Sequence, residues 1–234
     1  MTDHIVKSFS IELDALSSEV ARMGGLAESM VVDSITAVVR RDTALAQNVI
    51  GRDLKVDASQ RDLERQVTRM MALRHPVAND LRETLSAWKI AADLERVGDL
   101  AKNIAKRALV LNQAEPSQLI RSLERMGRVA SAHLKQVLDA YSQRDVRAAL
   151  GVWYRDEEID AHYNSLFREM LTYMMGDARL IEPGVHLHFI AKNIERIGDH
   201  ATNIAETVHY LVTGEEITAD RPKADEMLRG SGDS

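Results

Sequence analysis

Four pairs of acidic residues are the side chains of this 234-residue chain whose types and spacing could do chemistry: Asp53 with Asp57, Glu95 with Asp99, Asp156 with Asp160, and Glu195 with Asp199. Residues four apart on a helix are neighbours, about 5–6 Å apart at Cβ, so each pair sets two negative charges side by side, an arrangement that is mildly destabilising if left alone. Some relief is available nearby, because Lys102 follows Asp99 by three positions and Arg61 follows Asp57 by four. In the second set those positions are Thr202 and Asn164, so the carboxylates recur where the cations do not. A bound metal cation accounts for that retention. Clusters made only of oxygen donors suit hard cations such as Mg²⁺, Mn²⁺ or ferric iron. Asn103 and Asn203 extend two of the stripes by a turn, and Gly98 and Gly198 remove a side chain beside them, opening room for a ligand or a partner backbone.

The acidic pairs belong to a chain written twice. Residues 89–106, KIAADLERVGDLAKNIAK, and residues 189–206, FIAKNIERIGDHATNIAE, agree at ten of eighteen positions with an offset of 100. Upstream the offset is 103, pairing Leu16 with Leu119, Gly24 with Gly127, Arg41-Asp42 with Arg144-Asp145, and Asp57 with Asp160. The second copy has therefore lost about three residues between its second and third helices, a change that belongs at a loop or a helix end.

The periodicity is helical throughout. Ile90, Leu94, Val97, Ala101, Ile104, Ala108 and Leu111 alternate spacings of four and three, and Ile190, Ile194, Ile197, Ala201, Ile204, Val208 and Leu211 repeat the pattern. Such a stripe buries a seam against neighbouring helices of a left-handed bundle. Relative to it, Glu95, Asp99 and Asn103 fall on the outer face, where charged residues are the default, so an ordinary solvated surface competes with the metal reading. Helices are predicted over about 8–40, 42–73, 77–111, 116–142, 145–175 and 182–212. Asp42 is placed to cap the second, His75-Pro76 to end it, and Pro116 to start the fourth. The expected fold is all-α: two tandem, internally duplicated three-helix bundles, residues 1–114 and 115–213, followed by a mobile tail, 214–234. Antiparallel packing of consecutive helices would bring each half's two acidic pairs together.

Composition narrows the function. The chain has no cysteine, which excludes disulfides and thiolate metal sites. A formal charge of −6 with mixed signs argues against nucleic-acid binding. No apolar run approaches the ~18–20 residues of a membrane span and no signal peptide is evident, so a cytoplasmic protein without membrane insertion is expected. No Gly-rich phosphate loop, nucleophile elbow or Ser-His-Asp pattern is present, so the chain reads as a non-enzyme. His186, His188 and His200 have no matching histidine in the first copy, and the buried di-iron motif Glu-x-x-His is missing from the acidic stripes.

Glu95-Arg96-Val97-Gly98-Asp99 with Asn103-Ile104-Ala105, and Glu195-Arg196-Ile197-Gly198-Asp199 with Asn203-Ile204-Ala205, resemble the paired signature of the PhoU family. The segment His75 to Arg82, HPVANDLR, resembles the one that leads into that family's third helix. The resemblance implies metal clusters of iron, manganese, magnesium or zinc on Asp53, Asp57, Glu95, Asp99, Asp156, Asp160, Glu195 and Asp199, and a homodimer. It also implies a negative regulator of phosphate uptake and phosphate-starvation signalling, partnered by the ATPase subunit of the phosphate ABC transporter and by the regulon's sensor histidine kinase. Leu100 departs from the histidine frequent at that position. A metal-dependent phosphoesterase and a metal-free helical scaffold are the alternative readings.

Overall fold

The computed structural model describes residues 2–74, 76–115, 117–219 and 221. Helix α1 spans Thr2–Arg40, α2 Thr43–Arg74, α3 Ala78–Leu111, α4 Ile120–Gln143, α5 Val146–Trp153, α6 Asp156–Gly176 and α7 Ile181–Thr213, with one 3-10 turn at Ala178–Leu180 before α7. The described residues contain no strand. The fold is thus all-α, with α5 and α6 forming one interrupted rod in place of the single helix predicted over 145–175. The expected break at His75-Pro76 is present, α2 ending at Arg74 and α3 beginning at Ala78, although His75 itself and the expected first-turn proline Pro116 lie outside the described residues; α4 begins at Ile120, after a turn in which the Leu119 amide donates to Ser117 Oγ at 3.2 Å.

The same device ends the first helix of each half. Arg41 and Arg144 both adopt the left-handed conformation with φ 55°. The amides of Arg41 and Asp42 donate back to Val38 and Ala37 at 3.4 and 3.0 Å, and those of Arg144 and Asp145 to Tyr141 and Ala140 at 3.3 and 2.9 Å. This pattern satisfies carbonyls that a helix end would leave open. Left-handed backbone costs a residue with a side chain about 1 kcal/mol, and the two guanidinium groups offset it. Arg41 donates to the Asn112 and Ala114 carbonyls at the end of α3, both at 2.7 Å, and Arg144 pairs with Glu83. The following aspartates cap the next helices, Asp42 accepting from the Leu45 amide at 2.9 Å and Asp145 from Arg147 and Ala148 at 2.9 and 3.1 Å.

At the break between α5 and α6 a bulky side chain is anchored to α7 and a run of charge follows. Trp153 is buried and its indole N–H donates to Glu206 Oε1 of α7 at 3.1 Å, while Arg155 donates its Nε to the Gly151 carbonyl at 2.8 Å. Asp156, Glu157 and Glu158 then fill the first turn of α6, where a helix N-terminus favours negative charge. The matching stretch of the first half, Ile50-Gly51-Arg52-Asp53, runs through α2 unbroken.

Every seam residue named from the 3,4 spacing is buried, in both α3 and α7. The core extends further, because α3 also packs on α7 and α1 on α4, so that α1, α3, α4 and α7 form a central layer with α2 and α5–α6 outside it. A second face of α3 is therefore covered, including Ala91, Leu100 and Ala105. The crossing of α1 and α4 is close and pseudo-symmetric. A Cβ on Gly24 would lie 2.8 Å from Leu138, and one on Gly127 would lie 2.7 Å from Ile35, with two more Ile35 atoms at 3.1 Å. Gly25, by contrast, has nothing within 4 Å of a built Cβ. Replacing Gly127 by Ala is expected to lower stability by about 1–3 kcal/mol through overpacking against a β-branched neighbour. Gly25→Ala is expected to raise it by up to ~1 kcal/mol through helix propensity alone. Urea unfolding of the two variants checks this difference of sign.

Candidate metal centre

The eight predicted carboxylates lie along two corresponding grooves, one between α2 and α3 and one between α6 and α7. The signature glycines set the depth of both. A Cβ on Gly98 would meet Val56 at 3.2 Å, and a Cβ on Gly198 would meet Ile159 at 2.5 Å. Val56 and Ile159 are equivalent residues of the two copies, so of the two expected occupants, a ligand or a partner helix, these glycines admit the neighbouring helix. Close packing in turn buries one aspartate per groove: Asp53 is 5% and Asp156 4% exposed. Glu95, Asp99, Glu195 and Asp199 are half-buried, which corrects the outer-face placement; Asn103 is exposed.

In the first groove Lys102 bridges the two helices, its Nζ lying 2.6 Å from Asp53 Oδ2 and 2.6 Å from Asp99 Oδ1. Burial alone would push the Lys102 pKa down, but the hydrogen bonds and charges of Asp53 and Asp99 overcome it and hold the ammonium above its ordinary value. Glu95 is raised, first by burial, against the lowering charge of Arg96, with Asp99, Asp57 and Asp53 adding repulsion. The other three carboxylates of this half thus all act on Glu95.

The second groove is neutralised differently. Thr202, the counterpart of Lys102, donates its hydroxyl to Asp156 Oδ1 at 2.7 Å. Positive charge comes from Lys192, 2.7 Å from Glu195 Oε1, and from Arg221, whose Nη1 is 3.7 Å from Asp199 and whose Nε is 3.9 Å from Asp156. Burial leads in raising Asp156, relieved by Thr202 and Arg221 and reinforced by Asp199 and Asp160. Burial also leads in raising Glu195, against Lys192, with Asp199 and Asp160 adding to it. Arg221 belongs to the segment expected to be mobile. Its guanidinium instead donates to Asn203 Oδ1 at 2.6 Å and Glu206 Oε1 at 3.0 Å, and Ile217 packs on the core. Residues 222–234 lie outside the described residues.

Among the described residues, no group of three or more acidic or histidine side chains stands in an arrangement that could hold a metal ion as drawn. The donor chemistry nevertheless suits a hard cation. Asp53 Oδ1, Asp156 Oδ2 and Glu195 Oε2 are buried carboxylate oxygens without a hydrogen-bond partner, a costly condition that a cation would relieve. The histidines have other neighbours: His186 meets Arg107 at 3.2 Å, His200 meets Asp93 of α3 at 2.8 Å, and His188 lies among Tyr163, Phe167 and Phe189. Lys192 was legible three positions before Glu195; the groove position of Arg221 had no signal, since the first copy has no matching residue.

Fold and grooves together define a class: tandem three-helix repeats in which an E-R-x-G-D helix packs on an aspartate-bearing partner. A family model described as the PhoU domain matches twice, over residues 20–108 and 123–208. A phosphate-specific transport system accessory protein PhoU homolog of Caulobacter vibrioides is 58% identical over 226 residues, covering 96% of this chain and 98% of that protein. One of the same description from Rhizobium meliloti is 52% identical over 223 residues, covering 95% and 94%. The crystal structure of PhoU from Pseudomonas aeruginosa superposes with a TM-score of 0.86 at 37% identity, covering 88% of this chain and 100% of that one. The chain belongs to the PhoU family.

The raised Asp156 carries a definite sign of pH dependence. With its folded-state pKa above the ordinary carboxylate value, the folded protein keeps this proton to higher pH than the unfolded chain does. Its contribution therefore favours folding on the acid side and declines as pH rises through the raised value. In metal-free protein, Asp156→Asn, which keeps an acceptor for Thr202, is expected to raise the melting temperature at pH 7 by about 2–4 °C, the shift that ~1 kcal/mol produces in a chain of this size. The gain should shrink at pH 5. Calorimetry at both pH values checks it, and a variant less stable than the parent at pH 7 would contradict the assignment.

Proposed function

We propose that this chain is a cytoplasmic, non-enzymatic accessory regulator of phosphate uptake. When phosphate is plentiful it restrains the phosphate ABC transporter and keeps the regulon's sensor histidine kinase from activating the starvation response. It acts as a homodimeric helical adaptor whose acidic grooves load metal ions, and its partners are the transporter's ATPase subunit and the kinase. The observation that carries this reading is the recurrence, in two equivalent grooves of a PhoU-family chain, of the same carboxylates, with buried oxygens of Asp53, Asp156 and Glu195 left without a hydrogen bond. Among the described residues no helix is long and apolar enough to cross a membrane, consistent with action through membrane-bound partners. When bound, a metal ion would neutralise the grooves. Asp53, Asp57, Glu95 and Asp99 would hold it in one, and Asp156, Asp160, Glu195 and Asp199 in the other.

The combined change Asp99→Asn with Asp199→Asn is expected to reduce metal content, measured by elemental analysis of protein purified without chelators, by at least about half. It should also derepress phosphate-regulated expression in high-phosphate medium. Normal metal content together with normal repression would refute the adaptor reading in its metal-dependent form.

A further inference from the structure

We propose that the two acidic grooves are not equivalent: Lys102 is a fixed resident cation in the first, whereas Arg221 is a removable one in the second, displaced when a divalent cation binds there. This rests on the metal-binding reading above and concerns which groove loads and what moves when it does.

The duplication makes the comparison direct. Asp53 and Asp156 are equivalent, and so are Lys102 and Thr202, so the same helix-to-helix contact is an ion pair in one half and a neutral hydrogen bond in the other. In the first groove the ammonium sits at hydrogen-bond distance from both aspartates and springs from the middle of α3. It remains beside the groove whatever else binds, a permanent competitor for the same oxygens.

In the second groove Thr202 supplies no charge. Arg221 stands 3.9 and 3.7 Å from Asp156 and Asp199, beyond hydrogen-bond range, and spends its short contacts on Asn203 and Glu206. Asp156, though 4% exposed, keeps one oxygen without a hydrogen bond. A divalent ion that bonds carboxylate oxygens at about 2.0–2.6 Å would satisfy that oxygen far better than a guanidinium at this distance. Displacing Arg221 gives up its bonds to Asn203 and Glu206, while the helices themselves stay in place. It is carried on the stretch that leaves α7 at the left-handed Gly214, and within residues 214–219 Ile217 packs on the core. Releasing such a stretch returns conformational entropy. Loading of the second groove is thereby converted into detachment of residues 214–219 together with Arg221, a change at the surface that a partner can read.

The test uses the full chain, stripped of metal, with Mn²⁺ as the probe. Binding is followed by titration and by the electron-spin signal of free Mn²⁺, and order of residues 214–219 by hydrogen exchange. The expected results are faster exchange of 214–219 as the first Mn²⁺ binds, about 5–10-fold tighter binding in Arg221→Ala, and additional bound Mn²⁺ in Lys102→Thr. Asp156→Asn with Asp199→Asn, shown folded by circular dichroism, should abolish the Mn²⁺-dependent change in exchange. If Mn²⁺ binds the parent but exchange stays constant and Arg221→Ala binds no more tightly, the displacement proposal is overturned while metal binding stands. If the parent, Arg221→Ala and Lys102→Thr all fail to bind Mn²⁺, the metal reading itself is overturned, and this inference with it.

Discussion

A buried aspartate between two closely packed helices is the constraint from which the rest of the structure follows. Removing a carboxylate from water costs several kcal/mol unless positive charge or hydrogen bonds replace the lost solvent. Asp53 and Asp156 are held in that condition because the glycines at 98 and 198 let α3 and α7 settle onto Val56 and Ile159. The glycine and the aspartate are thus two parts of one device, the first creating the low-polarity groove and the second placing a charge in it. Neighbouring carboxylates at Glu95, Asp99, Glu195 and Asp199 raise the demand for a cation further. The two halves answer that demand with different residues, and the difference between them is as informative as their likeness.

The same economy of repetition governs the frame. Arg41 and Arg144 hold left-handed backbone at the first corner of each half, and Asp42 and Asp145 cap the helix that follows. The contacts Gly24–Leu138 and Gly127–Ile35 are images of each other under the duplication, so the halves meet through like surfaces, as two copies of one protein would across a two-fold axis. The resulting central layer of α1, α3, α4 and α7 makes the core continuous. It also leaves α2 and α6, which bear Asp53, Asp57, Asp156 and Asp160, outside that layer.

Much of this was legible in the sequence, and the boundary between legible and not has a physical basis. The repeat, the seam of α3 and α7 and the capping Asp42 are local signals, and each appears where its spacing put it. The seam underestimated burial because a 3,4 pattern reports the face toward the nearest partners, whereas Ala91, Leu100 and Ala105 are covered by the other half. The interruption at Tyr154-Arg155 escaped notice because no proline or glycine marks it; beside it stands Trp153, anchored to Glu206 across sequence. The outer-face placement of Glu95 and Asp99 failed for a related reason, since α2 covers part of what a single helical wheel assigns to solvent. Arg221 was beyond reach altogether, being a non-local contact from a polar, non-periodic segment.

Around the two grooves the copies diverge at positions that decide charge more than packing. Val56 and Ile159 keep the groove, and Asp53 and Asp156 keep the buried anion, yet Lys102 becomes Thr202 and Leu100 becomes His200, which meets Asp93 on the other half's helix. A duplication constrained only by packing would conserve volume and let surface charge drift. Here the apolar framework and the carboxylates are held together while the cations vary, as expected if the anionic groove is the fixed element and its neutralisation the adjustable one. One groove is neutralised by a lysine of its own helix pair and the other in part by an arginine from the segment beyond α7. That asymmetry, superimposed on a symmetric fold, is what the proposed displacement of Arg221 would act through, with the central layer of helices left in place.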